Sequence, residues 1–119
     1  MVAASGRLGP RSRGILADRR NELLFSAASS WEISIKYALG KLPLPEPPGQ
    51  YVPERMQITG VTPLRVEHSH ALAVTSLPRH HRDPFDRLLI AQASLEGVPI
   101  MTSDGAFGRY QIDTIPAGT

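Results

Sequence analysis

The stretch His81-Arg-Asp-Pro-Phe-Asp-Arg-Leu-Leu-Ile-Ala-Gln-Ala93 constrains this chain more than any other, because it fixes where a helix begins and which chemistry its start carries. Asp83 can accept hydrogen bonds from the first orphan N–H groups of a helix, and Pro84 suits the first helical position, where its missing N–H costs nothing. Leu88, Leu89, Ala91, Gln92 and Leu95 keep a helical rhythm until Gly97 stops it. Val98-Pro-Ile-Met-Thr102 then reads as a strand ending at Ser103-Asp104. Two carboxylates at a helix start and a third after the next strand predict an oxygen-rich cluster around a divalent cation, Mg²⁺ or Mn²⁺.

The rest of the chain alternates in the same way. Pro10 to Arg20 reads as a short basic helix, Leu23 to Ala28 as a buried strand, and Trp31 to Leu39 as a helix capped by Ser29 or Ser30 and stopped by Gly40. Leu42-Pro-Leu-Pro-Glu-Pro-Pro-Gly49 holds too many prolines for a helix or central strand and predicts a stiff connection. A brief helix is expected at Tyr51 to Met56, a strand at Ile58 to Leu64, a helix at Val66 to Leu77 ended by Pro78, a small helix at Gly105 to Arg109 and a last strand at Asp113 to Pro116. Strands alternating with helices predict an α/β fold with a mostly parallel sheet.

At 119 residues the chain has room for one core, so a single domain is expected. It contains no cysteine, which excludes disulfides and thiolate metal sites such as zinc fingers. No run approaches the length that spans a bilayer and no signal-peptide core is visible, so a cytoplasmic protein without membrane contact is expected. Net charge is only +2, yet its distribution is uneven. Arg7, Arg11, Arg13, Arg19 and Arg20 crowd the start, and Arg79, His80, His81 and Arg82 precede the acidic helix start. Basic groups beside a carboxylate cluster suit a phosphodiester backbone.

In open α/β sheets, ligands bind beyond the carboxyl ends of the strands, where Glu32, Asp86 and Asp104 are all expected. Each close pair of such carboxylates repels by about 1 to 4 kcal/mol, against only about 0.3 to 1 kcal/mol returned by a helix N-terminus. A cation would balance the difference. Each acid also has a plainer role: Asp83 as a helix cap, Asp86 in a capping box, Glu32 paired with Lys36 at i,i+4, Asp104 as a turn residue. His68 and His70, two apart, fall on opposite sides of a helix and cannot grip one metal well. Ser26, Ser29 and Ser30 lack a nucleophile-elbow pattern, and no glycine-rich phosphate loop is present.

Ser26-Ala-Ala-Ser-Ser-Trp-Glu-Ile-Ser-Ile-Lys36, His80-His-Arg-Asp-Pro-Phe-Asp-Arg-Leu-Leu-Ile-Ala-Gln-Ala93 and Thr102-Ser-Asp104 together resemble the VapC toxins of the PIN-domain ribonucleases. The resemblance implies a PIN-like three-layer α/β/α sandwich and a Mg²⁺- or Mn²⁺-dependent endoribonuclease. It implies the toxin half of a toxin–antitoxin pair, acting on RNA, held by a VapB-type antitoxin and assembled as a homodimer. Glu32, Asp86 and Asp104 match the family's catalytic, metal-binding acids, with Asp83 accessory; Arg79, Arg82 and Arg87 are candidates to position the RNA backbone. One position has no counterpart: family members begin with a central strand ending in an Asp-Thr-His-like motif, whose aspartate is a metal ligand. Residues 1–119 are therefore expected to form a single, N-terminally incomplete PIN-like domain without that first central strand, binding metal more weakly than a form extended upstream. The alternative is a catalytically impaired domain acting only as an antitoxin-binding module.

Overall fold

The computed structural model describes residues 2–3, 22–78, 83–102 and 114–116. Its strands are β1 (Val2–Ala3), β2 (Leu24–Ser26), β3 (Thr62–Leu64), β4 (Ile100–Thr102) and β5 (Thr114–Pro116). Its helices are α1 (Ala27–Ala38), α2 (Pro48–Thr59), α3 (His68–Ala73, continued by a 3₁₀ turn, Val74–Ser76) and α4 (Pro84–Glu96). The strands make one parallel sheet in the order β3-β2-β1-β4-β5, so the expected α/β class holds. The helices expected at 10–20 and 105–109 lie outside the described residues. Among the described residues, no helix is long and apolar enough to cross a membrane.

The strand order reverses direction at β1, which is the arrangement that opens a ligand crevice at the carboxyl edge of a parallel sheet. The expected gap at this position is corrected. Val2 pairs with Leu24 on one side and Ile100 on the other, so a two-residue strand occupies the middle of the sheet. The physical reason is that inner strands with no neighbour would leave backbone N–H and C=O groups unpaired. Neither Val2 nor Ala3 carries a carboxylate.

Burial gathers on α4. Leu89, Ile90 and Ala93 pack with Ala28 of α1 and Ile100 of β4, and Leu24, Leu64, Leu77, Leu88 and Val98 close around them. The helix ends follow local chemistry. Gly97 lies at φ 66° and ends α4: its N–H and that of Val98 both donate to the Ala93 carbonyl, closing the last turn as left-handed glycine caps do. A Cβ at Gly97 would meet nothing within 4 Å, so only backbone strain opposes substitution. Gly97→Ala should therefore cost about 1 kcal/mol, read as a lower urea midpoint at unchanged slope.

Three boundaries move. Helix α1 starts at Ala27 rather than near Trp31, because Ser26 and not Ser29 or Ser30 caps it; the Ser26 hydroxyl accepts the Ala28 N–H at 3.0 Å. Helix α2 runs from Pro48 to Thr59 and takes in residues expected to be linker and strand. Pro48 is preset for the first helical position, and Gly60 at φ 71° supplies the stop. The expected helix over 66–77 is a six-residue helix capped by Glu67 and followed by the 3₁₀ turn.

Candidate active site

Asp83 is the N-cap of α4: its Oδ1 accepts the Phe85 N–H at 2.8 Å and the Asp86 N–H at 3.3 Å. That cap fixes the first turn of the helix and so the origin of the Asp86 side chain, which is partly buried. The positive end of the helix dipole lies at the same turn and favours anionic groups there. Asn caps nearly as well as Asp, so Asp83→Asn should leave the melting temperature within a few degrees, whereas Asp83→Ala should cost about 0.5 to 2 kcal/mol. Thermal melts of the two variants side by side check this.

Glu32 lies in the second turn of α1, one residue after Trp31. The Trp31 ring meets the Phe85 ring edge-to-face, with centroids 4.9 Å apart and planes at 73°. This geometry is favourable for aromatic pairs and ties the start of α1 to the start of α4. Because Glu32 follows Trp31 and Asp86 follows Phe85, the ring contact sets the turns that carry the two acids against each other. Glu32 also pairs with Lys36 at 3.2 Å, across one turn of α1, with Lys36 half exposed. An exposed pair of this kind contributes a few tenths of a kcal/mol. It is too weak to compete with a divalent cation for the carboxylate.

Among the described residues, no three of His, Asp and Glu form a group able to hold a metal ion. Glu32, Asp83 and Asp86 therefore make no such group on their own, and Asp104, Arg79 and Arg82 lie outside the described residues. What Glu32 and Asp86 offer is hard carboxylate oxygen without sulfur or imidazole, a donor type that fits Mg²⁺ or Mn²⁺. Arg87 donates from Nη1 to the Pro78 carbonyl at 3.1 Å and from Nη2 to the Val74 carbonyl at 2.9 Å. Those bonds hold Val74 and Pro78 against the first turn of α4.

The histidines fall as their spacing predicts, His68 exposed and His70 buried. His70 Nδ1 accepts the Glu67 N–H at 2.9 Å, which places its proton on Nε2, 2.8 Å from Glu96 Oε1. Both ring nitrogens are thus engaged. Sequence reasoning missed the buried polar residues Ser26 and Gln92, which bond to each other at 2.5 Å. A signal was present: Gln92 lies within the apolar run Leu88 to Ala93, where an amide must find partners if the run is buried.

Comparison with known proteins bears on the whole fold. Over 59 residues the chain is 58% identical to Ribonuclease VapC16 of Mycobacterium tuberculosis (strain ATCC 25618 / H37Rv); the match covers 50% of this chain and 42% of that relative. The chain is similar in structure to one in the solved complex of FitAB bound to an IR36 DNA fragment. The TM-score is 0.61 at 15% identity, with 100% of this chain and 96% of that one covered, which is a likeness of fold. The PIN domain family model matches residues 5–112, from before β2 to beyond β4, and on that match the chain belongs to the PIN-domain family.

Proposed function

We propose that this chain is a metal-dependent endoribonuclease, the toxin of a VapBC-type toxin–antitoxin pair. The observation that carries the reading is the Trp31–Phe85 contact, which packs the turns bearing Glu32 and Asp86 together; the likeness to Ribonuclease VapC16 supports the substrate class. Glu32, Asp86 and Asp104 would hold Mg²⁺ or Mn²⁺, with Asp83 accessory through its hold on the first turn of α4. When bound, such a cation supplies Lewis-acid chemistry at a phosphodiester. The chain's own residues do the rest: the α4 cap fixes Asp86, the ring contact fixes the start of α1, and Arg79 and Arg82 position the RNA backbone, while Arg87, bonded to the Pro78 and Val74 carbonyls, braces the start of α4. Incubation of the chain with RNA and Mg²⁺ or Mn²⁺ should give cleavage that EDTA stops. Cleavage undiminished by the chelator would overturn the metal requirement, and no cleavage under any condition would overturn the enzyme.

A second reading is favoured by the middle strand of the sheet, where Val2 and Ala3 offer no carboxylate. On it the domain binds its antitoxin without cutting RNA. Both readings share the partner, a VapB-type antitoxin, together with a homodimeric state and a cytoplasmic location. Trp31 is 59% exposed, and with Ile35 and α2 near Tyr51 it offers aromatic and apolar anchors of the kind that dominate interfaces. A small protein encoded beside this chain should co-purify with it, and Trp31→Ala should weaken that complex by roughly 10-fold or more. A chain that stays partner-free at micromolar concentration would count against the antitoxin.

A further inference from the structure

Ser26 and Gln92 are both fully buried, and each belongs to one of the two helix frames that carry the candidate ligands. Ser26 ends β2 and caps α1, the helix of Glu32. Gln92 lies on α4, the helix of Asp86. Ser26 Oγ donates to Gln92 Oε1 at 2.5 Å while accepting the Ala28 N–H at 3.0 Å. The other end of the Gln92 amide is held as well: Nε2 donates to the Arg65 carbonyl, one residue beyond β3, at 3.1 Å and lies 3.4 Å from His70 Nδ1. The Arg65 carbonyl can only accept, so the amide has one orientation, nitrogen toward Arg65 and oxygen toward Ser26.

Resting on the metal-dependent reading above, we propose that the Ser26–Gln92 hydrogen bond is a positioning link that sets α1 against α4 so that Glu32 and Asp86 can serve one cation. Stability alone does not call for a polar pair here. The same helices and strand already pack through the apolar cluster of Ala28, Leu89, Ile90, Ala93 and Ile100, and an apolar pair of the same shape can be neutral or better for stability. What the hydrogen bond adds is direction, because it weakens steeply away from its preferred length and angle. Apolar packing accepts repacking with little loss. A carboxylate in the second turn of α1 depends on the rotation and height of that helix, and both are fixed where Ser26 enters it. Groups that orient ligands from behind typically change metal affinity by about 10-fold to 100-fold.

The test is Mn²⁺ titration by calorimetry, with electron paramagnetic resonance of the bound Mn²⁺, on the whole chain and on Ser26→Ala, Gln92→Met, Ser26→Thr, Ile90→Val and Asp86→Asn. Ser26→Ala and Gln92→Met should weaken Mn²⁺ binding about 10-fold and alter the resonance. Ser26→Thr, which keeps the hydroxyl, should restore most of the affinity. Ile90→Val loosens the same core without touching the link and should leave affinity unchanged. Unchanged affinity in both Ser26→Ala and Gln92→Met, or an equal loss in Ile90→Val, would overturn the link while leaving the metal reading intact, provided Asp86→Asn loses binding. If Asp86→Asn binds Mn²⁺ as the unmodified chain does, the metal reading itself falls and the link falls with it.

Discussion

Asp86→Asn should abolish metal-dependent RNA cleavage, lowering the rate by about 100-fold or more while the fold stays intact. The size follows from the place proposed for Asp86 as a ligand: residues that only orient a metal ligand cost about 10-fold to 100-fold when removed, so loss of a ligand charge should reach at least the top of that range. The fold survives because Asn keeps the volume of Asp and the α4 cap is made by Asp83, not by Asp86. The expected stability change is a dipole term of about 0.3 to 1 kcal/mol, small enough that circular dichroism and the melting midpoint stay close to those of the parent. Asp104→Asn should behave alike in the cleavage assay. Cleavage surviving in both variants would sink the assignment, and a collapse of the melt in Asp86→Asn would mean that the carboxylate is structural.

The contrast between α4 and the other helices tells how far the amino-acid pattern carries. Asp83, Pro84 and Gly97 each act through local backbone chemistry, so the span Pro84–Glu96 and its cap were readable from neighbouring residues alone. The start of α1 was not, because Leu24-Phe-Ser-Ala-Ala28 suits a strand or a helix, and pairing with β3 through Leu24, Phe25 and Ser26 decides where the strand ends. Helix α2 was under-read at both ends: Pro48 and Gly49 read as part of the proline-rich connection and Ile58-Thr59 as strand, yet the helix spans Pro48–Thr59. The candidate acids were legible as residue types in a spacing. The Glu32–Lys36 pair was legible too, from its i,i+4 spacing; that Trp31 seats on Phe85 and that Ser26 meets Gln92 across 66 positions are facts of packing, and no local pattern encodes them.

Ile90→Ala should be the most destabilising single change in the described core. Ile90 has no exposed surface and lies in the cluster that joins α4 to α1 and β4, so its truncation removes apolar contact and leaves a cavity among neighbours that two helices and a sheet already hold. Such changes cost about 2 to 5 kcal/mol, a large fraction of the roughly 5 to 15 kcal/mol that keeps a domain folded. For a chain of this length that corresponds to a fall in melting temperature of about 10 to 20 °C. Ile90→Val, which deletes one methylene, should cost only about 0.5 to 1.5 kcal/mol. The pair separates cavity cost from any general intolerance of the position: if Ala and Val destabilise equally, the loss comes from strain and not from volume. Asp86 stands one turn before Ile90 on the same helix, yet apolar packing carries little direction, so cleavage by Ile90→Ala below its new melting point should track the folded fraction. Cleavage lost well below that midpoint would show that the apolar core, and not the Ser26–Gln92 link, sets the site.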